Sequence, residues 1–170
     1  MNEVELVNKA KKGDKDAFCM LYSLYKDRLY RYAYYRLGNA QDAQDAVMDS
    51  IVSAYEQIVN LRRAQAFPSW IFKILYSVCT TYIKHQIRQR ECESIDNVKS
   101  TANLYTVIDE SKTELCRALD MLSSEERDIV LLSVEAGFTS REISKITGLT
   151  AGSVRSKLSR SLSKMREYLE

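Results

Sequence analysis

A chain of 170 residues that is 45% hydrophobic and 28% charged has the make-up of a folded protein, not of a disordered one. Its formal net charge of +2 excludes a basic field over the whole molecule, so any nucleic-acid contact must be a local patch. The chain has no apolar run of about 18 residues, and its charged N-terminus, MNEVELVNKAKKGD, lacks the apolar centre of a signal peptide, so a cytoplasmic protein with no membrane contact of its own is expected.

One proline and five glycines leave room for few turns, and an all-α chain is expected. The first element is a short helix over residues 2–12, with Val4, Leu6, Val7 and Ala10 as its apolar positions and Gly13 as its stop. Asp14 suits the N-cap of a long helix from Lys15 to Leu37. Its Phe18, Tyr22, Tyr25, Tyr30, Tyr32, Tyr34 and Tyr35 read as core and rim packing rather than as a platform for bases. Gly38 breaks the helix and Asn39 caps the next, over residues 40–61. There Ala43, Val47, Ile51, Ala54, Ile58 and Leu61 share one face, while Asp42, Asp45, Asp49 and Glu56 fall within about 60° of one another on a different side. Like charges at such spacings weaken an isolated helix. The stripe is either a solvated face or a surface for a basic partner, and by itself it does not choose.

Residues 61–66, LRRAQA, interrupt the pattern as a loop carrying Arg62 and Arg63. Pro68 then fits the first turn of a helix running to about Arg90. Ile71, Ile74, Leu75, Val78 and Tyr82 make its buried face; Lys73, Tyr76, Ser77, Thr80, Lys84 and Arg88 lie opposite. Charge for phosphates and a ring for stacking are what strand recognition needs. Trp70 and Phe72 read as buried. Over residues 91–110 the periodicity is lost among acidic and small polar residues, which predicts a linker.

Beyond it, Ser111 with Glu114 and Ser123 with Glu126 form capping boxes that open two helices, the second ending at Gly137. A third box, Thr139 with Glu142, opens a helix that Gly148 closes, and Thr150 caps a last one. This is the layout of a helix-turn-helix. Ile143, Ile146, Leu149, Val154 and Leu158 are spaced to form its core, with Leu162, Met165 and Leu169 continuing the apolar side. Ser153, Ser156, Ser159, Arg160 and Ser163 lie opposite, flanked by Arg155 and Lys157: hydroxyls allow close approach, and arginine offers a fork for guanine or phosphate. An ordinary amphipathic helix with a solvated basic side is the plainer reading; the capping box and turn favour DNA. Cys19, Cys79, Cys92 and Cys116 form no Cys-x-x-Cys pair, and His85 has no metal-spaced partner. No metal or cofactor is expected, and the thiols should be reduced. Without a nucleophile-base pair or a phosphate loop, the chain is not expected to be an enzyme.

These residues resemble the extracytoplasmic-function (ECF) group of bacterial RNA polymerase sigma factors. The N-terminal half carries Gly13-Asp14, Ala17-Phe18, Leu21-Tyr22, Leu29-Tyr30-Arg31, Arg36-Leu37-Gly38-Asn39, Asp42-Ala43 and Trp70-Ile71; the C-terminal half carries Ala118-Leu119, Glu142-Ile143, Ile146, Gly148, Val154, Leu158 and Arg160. The resemblance implies two small helical domains, a sigma region 2-like bundle over residues 1–90 and a sigma region 4-like four-helix domain over residues 111–170, joined by a flexible linker at 91–110. It implies as partners core RNA polymerase, through its clamp coiled coil and flap, promoter DNA and an anti-sigma factor. It places polymerase contacts at Asp42, Asp45, Met48, Asp49 and Glu56. It places −10 DNA contacts at Arg62, Arg63, Lys73, Tyr76, Ser77, Thr80, Thr81, Lys84 and Arg88. The −35 contacts fall at Ser140, Arg141, Thr150, Ser153, Arg155, Ser156, Lys157, Ser159 and Arg160. Met48, Ser77, Thr81 and Ser144 stand where the family usually has glutamine, asparagine, aspartate and alanine. Two other readings are a stand-alone helix-turn-helix regulator and a degenerate sigma-like antagonist that binds polymerase without reading promoters. A stand-alone repressor has no need of the acidic stripe.

Overall fold

A computed structural model of the chain describes residues 1–96 and 113–170. Ser111 and most of the predicted linker lie outside the described residues. Within them the regular structure is helical throughout: α1 Glu3–Lys11, α2 Lys15–Leu37, α3 Ala40–Gln57, α4 Phe67–Asp96, α5 Glu114–Asp120, α6 Ser124–Val134, α7 Ser140–Thr147 and α8 Ala151–Leu169. Short 3-10 turns at Ile58–Asn60 and Ala64–Ala66 carry the chain from α3 to α4.

The helix starts follow from local chemistry. Asp14 accepts from the Ala17 amide at 3.1 Å, Asn39 from Asp42 at 2.9 Å and Thr150 from Ser153 at 3.2 Å, each satisfying an amide that the helix itself leaves unpaired. The boxes at Ser123 and Thr139 close as expected, and Asn2 with Glu5 adds one that the sequence reading passes over. α5 opens differently. Its cap is Thr113, which accepts from the Cys116 amide at 3.4 Å, and Glu114 is already its first residue, so a box pairing Glu114 with Ser111 is not what starts it. At its far end α4 continues to Asp96, past the predicted stop at Arg90. Residues 91–96 contain neither glycine nor proline, and loss of apolar periodicity marks the end of burial, not of the helix.

α2 is the central rod. Leu21, Leu29, Tyr32 and Ala33 are fully buried, with α1, α3 and α4 packed around them. On α3 the expected face is inside: Ala43, Val47, Ala54 and Ile58 are buried and Ile51 packs against the core. α4 departs from expectation. Beside Ile71 and Leu75 it buries Phe72 and Cys79, while Ile74, Val78 and Tyr82 are only partly covered. Phe72, Tyr76, Cys79 and Ile83 share one side of the helix, and the C-terminal half covers it. Phe72 packs edge-on between Tyr32, at a centroid distance of 6.0 Å, and Phe138, at 5.2 Å.

The same seam holds a buried ion pair. Arg36 of α2 and Asp128 of α6, 6% and 3% exposed, pair through their charged groups. Arg36 also donates to the Tyr76 carbonyl at 2.8 Å and to Thr80 Oγ1 at 2.9 Å, and its guanidinium lies 4.6 Å from the centre of the Tyr76 ring. Burial pushes the Asp128 carboxyl up to about 6, against the pull of Arg36. Removing one member of such a pair costs about 3–5 kcal/mol, because the other charge stays buried. At the rim Arg31 meets Glu135 at 3.0 Å, and Arg28 donates to the Ala136 carbonyl at 3.4 Å. The two halves therefore share an interface as well as a tether.

In the C-terminal half α8 buries Val154, Ser161 and Met165, with Leu158 partly covered. Leu162 and Leu169, expected inside, are 38% and 47% exposed. The line 154–158–161–165 passes through a serine, which an apolar tally skips; a small side chain there lets α8 approach its neighbours. Gly148 closes α7 at φ +81°, a conformation that disfavours a Cβ by roughly 1–2 kcal/mol. Gly148→Ala should lower the unfolding free energy by that amount in urea titrations. Gly152→Ala, inside α8 with open space around the new methyl, should instead raise it by about 0.5 kcal/mol.

Candidate nucleic-acid interface

The helix-turn-helix is fastened by hydroxyl groups. Thr147 Oγ1 donates to the Ile143 carbonyl at 2.8 Å, and Ser144 Oγ donates to the Leu149 carbonyl across the turn. Ser144 thus ties α7 to the start of α8, which an alanine cannot do. Of the −35 residues expected from the sequence, Arg155, Ser156, Ser159 and Arg160 are exposed together on one side of α8. Arg160 Nε reaches the Ser156 carbonyl at 3.4 Å. Arg141 is exposed, while Ser140 and Ser153 are half-buried, and the exposed Thr150 serves as the cap. Lys157 differs: its ammonium pairs with Glu125 of α6, so it is a committed cation at the border of the face. Lys164 and Glu126 pair nearby at 2.9 Å.

On α4, Lys73, Ser77, Thr81, Lys84 and Arg88 are exposed at spacings of four, four, three and four, and they form one polar and basic line. Beside it lies a cleft of about 380 Å³ lined by Ser53, Gln57, Trp70, Lys73, Ile74, Ser77 and Val78. Trp70, read as buried, is half-buried and forms part of this wall. Ser53 and Gln57 come from α3, and only the tertiary packing of α3 on α4 brings them here. Tyr76 and Thr80 are not on the open line. Both are half-buried beneath Arg36, and burial together with the Asp128 charge pushes the Tyr76 phenol up. Arg62 and Arg63 are exposed on the loop before α4. A second cleft, of about 510 Å³, has Arg63, Gln65, Ala66 and Ser69 on one side and Glu142 and Lys145 of α7 on the other.

The acidic stripe of α3 is partly engaged by hydrogen bonds to α4. Asp42 accepts from Gln86 and Asp49 from the Tyr82 hydroxyl, each at 2.7 Å, so both are tied to α4. Desolvation and then the Asp49 hydrogen bond hold the Tyr82 phenol above its usual range, where it stays a donor. Asp45, held by Gln41 at 3.1 Å, and Glu56 face outward with Met48. Next to them stand Val52, Tyr55 and Val59, 51%, 42% and 60% exposed. Positions 48, 52, 55 and 59 form a continuous apolar line edged by carboxylates, and contiguous exposed apolar surface marks docking far better than scattered residues do. The sequence reading missed this line, although its spacing of four, three and four was there to be read as a second stripe on the same helix. Among the described residues, no three His, Cys, Asp or Glu side chains are grouped to hold a metal ion, and no helix is long and apolar enough to cross a membrane.

Residues 21–89 match sigma-70 region 2 and residues 112–165 match sigma-70, region 4. The RNA polymerase sigma factor SigV of Bacillus subtilis (strain 168) is 30% identical over 148 residues, which take in 85% of this chain and 86% of that one. The ECF RNA polymerase sigma factor BldN of Streptomyces coelicolor is 25% identical over 158 residues, covering 89% of this chain and 60% of that relative. Among solved structures, CnrH in complex with the cytosolic domain of CnrY has the same fold, with a TM-score of 0.74 at 20% identity over 98% of this chain and 96% of that one. The sigma factor RpoE in complex with the anti-sigma factor NepR from Bartonella quintana gives a TM-score of 0.69 at 23% identity over 89% and 96%.

Proposed function

The chain belongs to the sigma-70 family of RNA polymerase sigma factors, in its ECF group, and from that membership we propose how its surfaces divide the work of promoter-specific initiation. The observation that carries the proposal is that one chain holds two separate exposed polar and basic helix faces, on α4 and α8, and a third, apolar and acidic face on α3 suited to a protein partner. The outward side of α3, with Asp45, Met48, Val52, Tyr55 and Glu56, docks on core RNA polymerase. Its apolar line supplies buried area, and the carboxylates select a basic counterpart. Methionine at position 48 lengthens the apolar line where glutamine is usual.

In the C-terminal half, α8 enters the major groove of the −35 element, with Arg155 and Arg160 as forks for guanine or phosphate and Ser156 and Ser159 allowing the backbone close to the DNA. In the N-terminal half, the α4 line tracks the −10 strand: Lys73, Lys84 and Arg88 neutralise phosphates, and the cleft beside Trp70 or the Arg62–Ala66 loop receives an unstacked base. Unstacking costs a few kcal/mol, which the contacts in the cleft must offset. A tether at residues 91–110, whose first six residues continue α4, spans the two elements. Every step is binding and strand separation, carried out beside polymerase in the cytoplasm, with an anti-sigma factor as the expected negative partner. A stand-alone helix-turn-helix regulator would have no use for the α3 face.

Runoff transcription with core polymerase tests the whole proposal, and no promoter-specific transcript from any template would end it. Asp45→Lys combined with Val52→Glu should abolish association with core polymerase in a pull-down while the helical circular-dichroism signal stays unchanged; undiminished capture removes the α3 assignment. Arg160→Ala should weaken binding to −35 duplex by about 1–3 kcal/mol if it reads a base. Lys157→Ala should cost less, since Glu125 already holds that ammonium. Equal losses on promoter and scrambled duplex would make Arg160 a phosphate contact.

A further inference from the structure

We propose that Tyr82 and Gln86 are positioning residues for −10 recognition: through hydrogen bonds to Asp49 and Asp42 they brace the far half of α4 against α3, the helix that docks on polymerase. Asp42 and Asp49 then serve the DNA-reading helix, and the carboxylates left to meet polymerase are Asp45 and Glu56. The proposal rests on the assignment of the α4 line to −10 DNA and of the outward side of α3 to core polymerase.

α4 is held unevenly along its length. Its first half buries Phe67, Ile71, Phe72, Leu75 and Cys79. Beyond Cys79 no described residue of α4 is buried; Tyr82 and Ile83 are partly covered and Ile87 is 49% exposed. Two of the three cations of the line, Lys84 and Arg88, are exposed on this second half. A helix segment with so little buried surface is held only weakly by packing.

Hydrogen bonds to α3 supply what packing does not. The Tyr82 hydroxyl donates to Asp49 Oδ2 and Gln86 Nε2 to Asp42 Oδ2, each at 2.7 Å. The donors stand one turn apart on α4 and the acceptors two turns apart on α3, so the two attachments fix the rotation of α4 as well as its distance. Both acceptors are carboxylates, whose hydrogen bonds are stronger than those between neutral groups. Asp45 is held by Gln41 within α3, takes no part in the brace and keeps its outward place. Lys84 lies between the two attachments, and Arg88 lies half a turn past the second. The phosphate contacts made by these two cations are thereby set in register with the polymerase on which α3 is docked.

The test uses holoenzyme assembled from core polymerase and the full chain, on a promoter shown by runoff transcription to be used and opened over its −10 element by mismatches. Tyr82→Phe with Gln86→Met removes both bonds without changing charge. Capture of core polymerase and the helical circular-dichroism signal should stay unchanged, while affinity for the opened promoter falls several-fold. The plot of log affinity against log salt should become shallower by about 0.7–0.9 for each phosphate contact released. Unchanged affinity and slope overturn the proposal, and so does a loss of core capture, which would make the pair part of the docking surface.

Two further comparisons separate positioning from a general loss of structure. Lys84→Ala with Arg88→Ala should weaken binding, and adding Tyr82→Phe with Gln86→Met should then cost little more, because no phosphate contact is left to misplace. Asp49→Leu should weaken binding as Tyr82→Phe does, and the two together no further; additive losses in either comparison overturn the brace. If Lys84→Ala with Arg88→Ala leaves binding undiminished, the assignment of α4 to −10 DNA fails and the proposal with it. If that variant loses affinity while Tyr82→Phe with Gln86→Met does not, the brace alone fails.

Discussion

Arg36 is the side chain on which the two halves of the molecule meet. A guanidinium that is 6% exposed needs its charge answered and its donors filled, and α2 alone offers neither. Asp128 supplies the charge from α6; the Tyr76 carbonyl and Thr80 hydroxyl accept two of the N–H groups from α4; the Tyr76 ring covers one face. One residue thereby sets the position of α4 against α2 and of α6 against both. Each partner also needs Arg36 in return, because Asp128 is 3% exposed and would otherwise be a buried anion among Tyr32, Tyr76 and Cys79. Even the thiol of Cys79, pushed up to about 12 mainly by burial, is held neutral and unreactive in this setting.

This seam also explains which features are legible in the chain and which are not. Helix starts are, because a cap is satisfied within three residues: Asp14, Asn39, Ser123, Thr139 and Thr150 act where their spacing places them. Gly148 is equally local, since only its own backbone angle is at issue. The inner face of α3 is legible because the residues it turns toward α2 and α4 fall on one side of the helix. α4 packs on α2, α3 and α7, and its buried residues Ile71, Phe72, Leu75 and Cys79 form a broad face that runs on into Tyr76 and Thr80. A single stripe therefore assigns Tyr76 and Thr80 to the outside. Nothing local could reveal that Tyr32 and Asp128, 96 positions apart, face each other. Ser161 is hidden for another reason: its burial is a matter of size, and its polarity argues the opposite.

The candidate surfaces divide in the same way. The basic line on α4 and the hydroxyl and arginine face of α8 are helix-periodic and can be read directly. The Met48–Val52–Tyr55–Val59 line is periodic too, but it is masked by the acidic stripe beside it, and expecting one apolar face per helix conceals a second. The cleft beside Trp70 is legible in neither way, because its walls come from two helices whose packing creates it.

The composition of the seam bears on how easily it opens. A wholly apolar interface of this kind gains from every buried methylene and tolerates sliding, since dispersion and hydrophobic burial are weakly directional. A buried ion pair adds little net attraction over an apolar filling and is intolerant of misplacement, because a displaced charge has no partner. Phe72 and Phe138 thus supply attraction, and Arg36 with Asp128 supplies register. Opening exposes both charges to water, which recovers much of their desolvation cost, whereas partial opening leaves one of them stranded. Arrangements that strand one charge are therefore penalised. The rim pair Arg31–Glu135 adds a term that salt can screen, which makes the strength of the contact depend on ionic conditions.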